Sequence, residues 1–526
     1  MIAPSPQPED GKRFVIETAR PFGSSLIWQL QHAYYATRGV EAWRHGEVPH
    51  YVTSNPSIAD SYAEIVLAFW RDRQRLAPHD SEPLTILELG AGSGRFAFHF
   101  LRRLGALCAE AGVPPHAFRY VLSDAADANL DFWRHHPGFE SPFADGRLDL
   151  ARVDLTQPES LALQMSGAPI GPGSLRHPLV VIANYVFDSI PQDLFRFEDG
   201  RACAASVSLA IDQDPAGLDA GALLARVAVH YAYDEVMQPP YAEAWLQRLF
   251  EEYRRDLRDT HLLFPAAGLR ALRRLAGLSA AGLFVLTADK GVHRPAALDV
   301  RPRPNLVRHG SVSLPVNYHA FTRVCIQDGG LALVPSRAHA SLAVICLLTM
   351  PDAGRHAETQ RAYRRHVDDF GPDDFYGIAA HSRNTTATMS VADILAYLRL
   401  SRHDGRQLEH YLPRLMELVA ELDATARENL IEAVEDVWDM YFPLGEAFDL
   451  ANGIARLLHA MDDCERAVIF YERSMAIYGP DTGTLCNIAA CYRRLGEEAR
   501  AAAILHKVLE YDPGNDAAAA LLASAE

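Results

Sequence analysis

The chain has 526 residues, more than one compact core holds, so two or three domains are expected. It is 49% hydrophobic and 22% charged with no low-complexity tract, which excludes a disordered or fibrous protein. A formal net charge of -17 speaks against a nucleic-acid surface, because phosphate binding draws on clustered Lys and Arg.

The first ten residues, from Met1 to Asp10, carry neither a basic n-region nor an apolar h-region, which argues against a secretory signal. No apolar run reaches the roughly 18 residues of a membrane span. Seven cysteines are scattered without a CxxC pair, and Cys486 and Cys491 read as buried free thiols. His135, His136 and the other histidines lack partners at metal-ligand spacing, so no metal site is expected, and a reducing cytoplasm fits.

Residues 1–83 read as an N-terminal helical segment covering the domain that follows. From residue 84, short apolar strands alternate with helical stretches. Residues 84–89 form a buried-type strand ending in glycines, and 96–107 a helix with Phe96, Phe100, Leu101, Leu104 and Leu107 on one face. Further strands are predicted at 120–124, 148–155, 179–183 and 282–287. The long gap before the last of these holds a hairpin around 197–200 and a helical stretch over 241–275. It reads as a lobe inserted at about 195–280 over the mouth of the sheet. Strands resume near 311–324 and 342–348. The pattern predicts an α/β domain over 84–350 with a parallel sheet covered on both faces.

Residues 351–390 are polar and read as a linker; 391–526 are helical and rich in Ala and Leu. Within that last part Ala433, Ala467 and Ala501 recur every 34 positions, with Tyr471 and Leu505, and Ser474 and Val508, in register. The unit with Ala489, Tyr492, Gly496, Ala501, Leu509 and Pro513 resembles the tetratricopeptide repeat, whose small residues let two antiparallel helices approach. A weaker copy starts near Pro413. A generic helical bundle is the alternative.

The chemistry centres on Glu88-Leu-Gly-Ala-Gly-Ser-Gly94, between a strand and a helix. Gly90, Gly92 and Gly94 permit a tight turn and close approach of a ligand to the backbone. Nicotinamide and flavin sites use the same device, and Gly92-Ser-Gly94-Arg-Phe-Ala97 fits the dinucleotide pattern. Glu88 is placed to face the ammonium of a methionine moiety, Asp124 to accept from ribose hydroxyls, and Asp154 to accept from an adenine amino group. A dinucleotide enzyme would also put an acid at Asp124, but four such elements in strand order make coincidence much less likely, and Asp154 tilts the reading toward S-adenosylmethionine.

The fourth strand runs into Ile182-Ala-Asn-Tyr-Val-Phe-Asp-Ser-Ile-Pro191. This stretch resembles the motif of the MidA-like S-adenosylmethionine-dependent methyltransferases, a family that includes assembly factors of respiratory complex I. Asn184, Phe187, Asp188 and Pro191 match it, and the resemblance implies that Asn184 belongs to the cofactor site. Tyr51-Val-Thr-Ser-Asn-Pro-Ser-Ile58 with Tyr62 and Glu64 is similar to the family's N-terminal segment. Ala288-Asp289-Lys290-Gly291 stands where the family has Asp-Tyr-Gly, and Val316-Asn-Tyr-His-Ala-Phe321 resembles a later segment. The resemblance covers about 33–350 and implies a class I methyltransferase Rossmann-like sheet; the all-α, repeat-like domain lies outside it.

The family's known activity includes methylating an arginine, which favours carboxylates that pair with a guanidinium. Here Tyr185 replaces a Glu, Ser57 stands where another would fall, and Lys290 adds a positive charge. A neutral or anionic acceptor fits as well. Asp188 is the first candidate for orienting or deprotonating an acceptor, followed by Tyr185 and His319. Capping a helix, core packing and backbone bonding are the respective bland roles.

The leading expectation is a methyltransferase whose repeats recruit a protein partner. A non-catalytic assembly protein with a vestigial cofactor fold and a dinucleotide-dependent oxidoreductase are the alternatives.

Overall fold

Strands that are apolar at every position cannot face water on either side, and this dictates the centre of the molecule. Leu84–Glu88 (β1) is buried at all five positions. Phe118–Asp124 (β2), Leu148–Arg152 (β3), Leu179–Asn184 (β4) and Leu283–Asp289 (β5) are enclosed too, except at Arg119, Arg152 and Asn184. Leu331–Leu333 (β6) and Ala343–Thr349 (β7) complete a seven-stranded sheet of order β3-β2-β1-β4-β5-β7-β6. β1 to β5 run parallel, while β7 lies antiparallel between β5 and β6. This is the class I methyltransferase sheet.

The computed structural model describes residues 13–44, 46–77, 82–155 and 160–523. The N-terminal stretch read for a signal lies outside the described residues. The chain divides into two compact units, 1–54 with 61–373, and 55–60 with 374–526. Among the described residues no helix is long and apolar enough to cross a membrane.

The inserted lobe is built on a second, antiparallel sheet. Its path runs Phe14–Pro21, Arg201–Ile211, Asp193–Glu198, Asp259–Phe264, and Ala228–Glu235 also pairs with Arg201–Ile211. Asp199 and Gly200 both take positive φ, the turn that a two-residue hairpin between twisted strands requires. The N-terminal segment is therefore not wholly helical, since Phe14–Pro21 is a strand of this sheet. The stretch 241–275 is likewise helix, strand and helix, with Asp259–Phe264 between Ala244–Asp256 and Ala266–Ala276.

Two more expectations are corrected at the sheet's margin. β3 stops at Arg152 rather than running to 155. Ser311–Ser313 pairs only with Val307–His309, after which Asn317 caps a helix, Tyr318–Gln327, by accepting from the Ala320 N–H at 3.1 Å. The stretch read as a linker is helical at Ala357–Tyr363 and Pro372–Thr385. It buries Val367, Phe375 and Met389, and it has polar anchors too: the Tyr363 hydroxyl donates to the Val344 carbonyl at 2.8 Å, and Thr359 donates twice to the buried Asp72.

The second unit is all helix. Asp423, Asp449, Asp463 and Asp481 each cap a helix by accepting from the backbone two or three residues on. Leu450–Ala460 packs on Cys464–Tyr478, that on Thr482–Arg494, and that on Glu498–Tyr511. The 34-residue register points inward: Ala433, Ala467, Ala501, Tyr471, Leu505, Ser474 and Val508 are all buried. Pro413 opens no unit, since it sits inside the helix Gly405–Leu418.

Leu286 lies at the centre of β5, fully buried and paired to Ile182 and Cys346 in its neighbours. Leu286→Ala is expected to destabilise the sheet unit by about 2–5 kcal/mol. Urea unfolding followed by fluorescence checks this, and only the transition of the sheet unit should move.

Candidate active site

In a parallel sheet the strand order reverses at one point, and there the loops diverge to leave a crevice at the carboxyl ends. Here that point lies between β1 and β4. A cavity of about 540 Å³ opens there. Its walls include Glu88, Gly90, Gly92, Asp124, Asp154, Asn184, Tyr185, Asp188 and Lys290. Nine residues spread over two hundred positions thus share one space because each ends, or closely follows, a strand.

The glycine loop leaves β1 and opens the helix Arg95–Ala111. Gly92 has φ of +57°, and a Cβ there would lie 2.8 Å from the Trp43 ring. Its N–H donates to Asp124 Oδ2 at 3.1 Å, while Asp124 Oδ1 accepts from the Ala126 N–H at 3.0 Å. The acid at the end of β2 therefore shapes the loop as well as facing the cavity. Burial raises its carboxyl above the ordinary range, against the backbone hydrogen bonds that lower it. Gly94 stands behind the wall: it is the left-handed residue before the helix, packed against Trp133, and does not line the cavity.

Glu88 is buried, and the Tyr120 hydroxyl donates to its Oε2 at 2.7 Å. Burial pushes this carboxyl up to about 8; the Tyr120 bond works the other way and the nearby Asp124 adds to the rise. Asn184 ends β4. Its Oδ1 accepts from the Tyr62 hydroxyl at 2.9 Å, whereas its Nδ2 is buried without a hydrogen-bond partner among the described residues. A buried donor left unmet costs about 1–3 kcal/mol, and this one sits on the cavity wall. Asp154 is exposed, two residues past β3.

At the other side, Tyr185 takes φ of +52°, a left-handed backbone that costs a non-glycine residue about 1–3 kcal/mol. Asp188 is buried; its N–H donates to Asp289 Oδ2 at 3.1 Å, and its Oδ1 accepts from the Ser189 hydroxyl at 2.7 Å. Burial lifts Asp188 to about 6, opposed by the Ser189 bond and the Lys290 charge. Burial and then the Asp188 charge hold Asp289 well above the usual carboxylate range. Two buried carboxyls thus stand next to each other, each with a raised affinity for its proton.

His319 is not brought to the cavity. It lies in the helix Tyr318–Gln327, where its Nδ1 is 3.0 Å from the Tyr253 hydroxyl and burial lowers its imidazole to about 4. Ser57 falls in residues 55–60 of the second unit.

The wall also holds residues that the motifs do not announce. Trp28 and Tyr35 come from the helix Leu26–Arg38, and Trp43 stacks on Tyr35 with ring centroids 5.8 Å apart. The Tyr35 hydroxyl donates to Ser311 Oγ at 2.9 Å, which brings the hairpin Val307–Ser313 into the same wall. The aromatic face of 26–38 was the available signal, but nothing in its spacing says which sheet end it covers.

No family model matches the chain, and no curated protein matches it. Among solved structures it is similar to a COG1565 superfamily member from Burkholderia thailandensis bound to S-adenosyl-homocysteine. That likeness has 19% identity and a TM-score of 0.38, over 60% of this chain and 74% of the other. A second COG1565 superfamily protein from the same organism matches at 18% identity and TM-score 0.41, over 64% and 90%. The CurJ carbon methyltransferase matches at 12% identity and TM-score 0.26, over 55% and 54%.

Proposed function

We propose that the cavity binds S-adenosylmethionine and that the protein transfers its methyl group to an acceptor held beside Asp188. The observation that carries this reading is the strand order. A dinucleotide fold runs 3-2-1-4-5-6, whereas this sheet places an antiparallel strand, β7, between β5 and β6.

The residues fit the donor. The unmet Asn184 amide suits a methionine carboxylate, and Glu88 suits its ammonium. Gly90 and Gly92 clear the backbone, Asp124 has lone pairs left for ribose hydroxyls, and Asp154 stands for the adenine amino group. When bound, S-adenosylmethionine supplies a methyl group already activated on a sulfonium, so the protein must align, exclude water and manage a proton. Trp28, Tyr35 and Trp43 keep water out. Asp188, as the carboxylate, would take the proton that the acceptor gives up on being methylated. Ser189 and Lys290 steady the charge that remains on Asp188 beforehand.

The acceptor is read as part of a protein partner that the helical unit recruits, its helix pairs taken as tetratricopeptide-like repeats. The test is calorimetric titration of the full chain with S-adenosylmethionine and with NAD in parallel. One-to-one binding of the first alone is expected; stabilisation by NAD alone would sink the reading.

The same titration has a pH signature. With a carboxyl at about 8, Glu88 is about nine-tenths protonated at pH 7 in the free protein. An ammonium placed beside it favours the carboxylate, so binding releases close to one proton and affinity rises between about pH 6 and pH 7.5. Heats measured in two buffers of different ionisation enthalpy read the release directly. No buffer dependence would remove Glu88 from the site.

A further inference from the structure

Three side chains that the sequence keeps apart meet in the helical unit. His459 comes from Leu450–Ala460, Cys464 opens the helix Cys464–Tyr478, and Cys491 lies in Thr482–Arg494. One ligating atom from each lies within 4.8 Å of the other two. Both cysteines are buried and His459 is half-buried, so the cluster has a closed sulfur side and an open imidazole side.

The backbone is shaped to make this meeting. Asp462 takes φ of +63°, which turns the chain back within three residues and sets Cys464 beside His459. Asp463 then caps the helix by accepting from the Arg466 N–H at 3.2 Å. Arg494, three residues after Cys491, donates to Asp462 Oδ1 at 2.8 Å and to the His459 carbonyl at 3.4 Å. The third helix is thereby tied to the same turn. Cys464 sits in the first turn of that fifteen-residue helix.

We propose that His459, Cys464 and Cys491 bind a zinc ion that staples three successive helices. Two thiolates and one imidazole are a donor set suited to zinc. With zinc–sulfur bonds of about 2.3 Å and zinc–nitrogen bonds of about 2.0 Å, tetrahedral ligand atoms stand roughly 3.5–3.8 Å apart. The three atoms therefore need to shift by about 1 Å or less. On binding, both thiols give up their protons to solvent, and the two thiolates balance the charge of Zn²⁺. The fourth position, on the open imidazole side, takes a water. The competing role is packing alone, since free cysteines are among the most buried residues. The ligands lie on three different helices, with twenty-six residues between Cys464 and Cys491, so no compact motif marks them.

The experiment uses the full chain, reduced and stripped with a chelator, and titrated with Co²⁺ as a spectroscopic probe and then with Zn²⁺. A thiolate-to-cobalt charge-transfer band is expected to saturate at one equivalent per chain and to vanish as zinc displaces cobalt. The melting temperature of the helical unit should rise with zinc concentration. Cys491→Ala removes a buried ligand and should lower the band and the affinity at least tenfold. His459→Gln, at a half-exposed position that folds readily, should weaken binding as well. Cys486→Ala, a buried cysteine of the same helix outside the cluster, should change neither. No thiolate band in the reduced chain overturns the proposal. So does a band untouched by both Cys491→Ala and His459→Gln, or a protein in which Cys464 and Cys491 form a disulfide and never take up cobalt.

Discussion

Gly92→Asp is expected to weaken S-adenosylmethionine binding by at least ~100-fold, close to 3 kcal/mol, while the protein stays folded. Two effects add. Any Cβ at this position meets the Trp43 ring at 2.8 Å, so the ring or the loop must move into the ligand's space. The new carboxylate also enters a wall that already carries Asp124, whose Oδ2 holds the Gly92 N–H. Asp tolerates a left-handed backbone better than most residues, so the loss of stability should stay near 1–3 kcal/mol. Calorimetry gives the affinity and a thermal melt gives the stability. Unchanged affinity with the variant folded would show that this loop holds no ligand.

Asp188→Asn is expected to lower methyl transfer by ~10²–10⁴-fold and leave S-adenosylmethionine affinity within about threefold. On the proposed reading Asp188 faces the acceptor, whereas Glu88 and Asn184, on the same cavity wall, would hold the donor. A carboxyl raised to about 6 is a working base only when ionised, so the wild-type rate should climb as pH rises through about 6 and level off above it. The variant should lack that rising limb. Its melting temperature should hold or increase, because one of two adjacent buried acids is neutralised while the Asp188 N–H still donates to Asp289. Incorporation of labelled methyl groups into cell extract, as a function of pH, checks the rate. A profile identical to wild type would remove Asp188 from the chemistry.

Much of the sheet is legible because strands buried on both faces carry short apolar runs, above all Leu179 to Ala183 in β4 and Leu283 to Leu286 in β5. The glycine loop is legible because left-handed residues at a strand-to-helix turn have few substitutes. β6, three residues long, is too short to carry a period. Asp259–Phe264 is hidden because amphipathic helices flank it closely on both sides. Residues 351–390 read as a linker because their buried apolar residues, such as Val367, Phe375 and Met389, are widely spaced among polar ones, and hydrogen bonds from Tyr363 and Thr359 add to the anchoring. His319 was drawn to the site by a motif whose residues open a helix, and that helix turns the imidazole toward Tyr253. Trp28, Tyr35 and Trp43 escaped because a wall supplied from fifty residues upstream leaves no spacing signal.

A structure of the full chain with S-adenosylhomocysteine tests the central claim most directly. The ribose is expected against Asp124, the amino-acid end between Glu88 and the Asn184 amide, and the sulfur turned toward Asp188. A ligand found elsewhere, or a cavity that stays empty at saturating concentration, would contradict it.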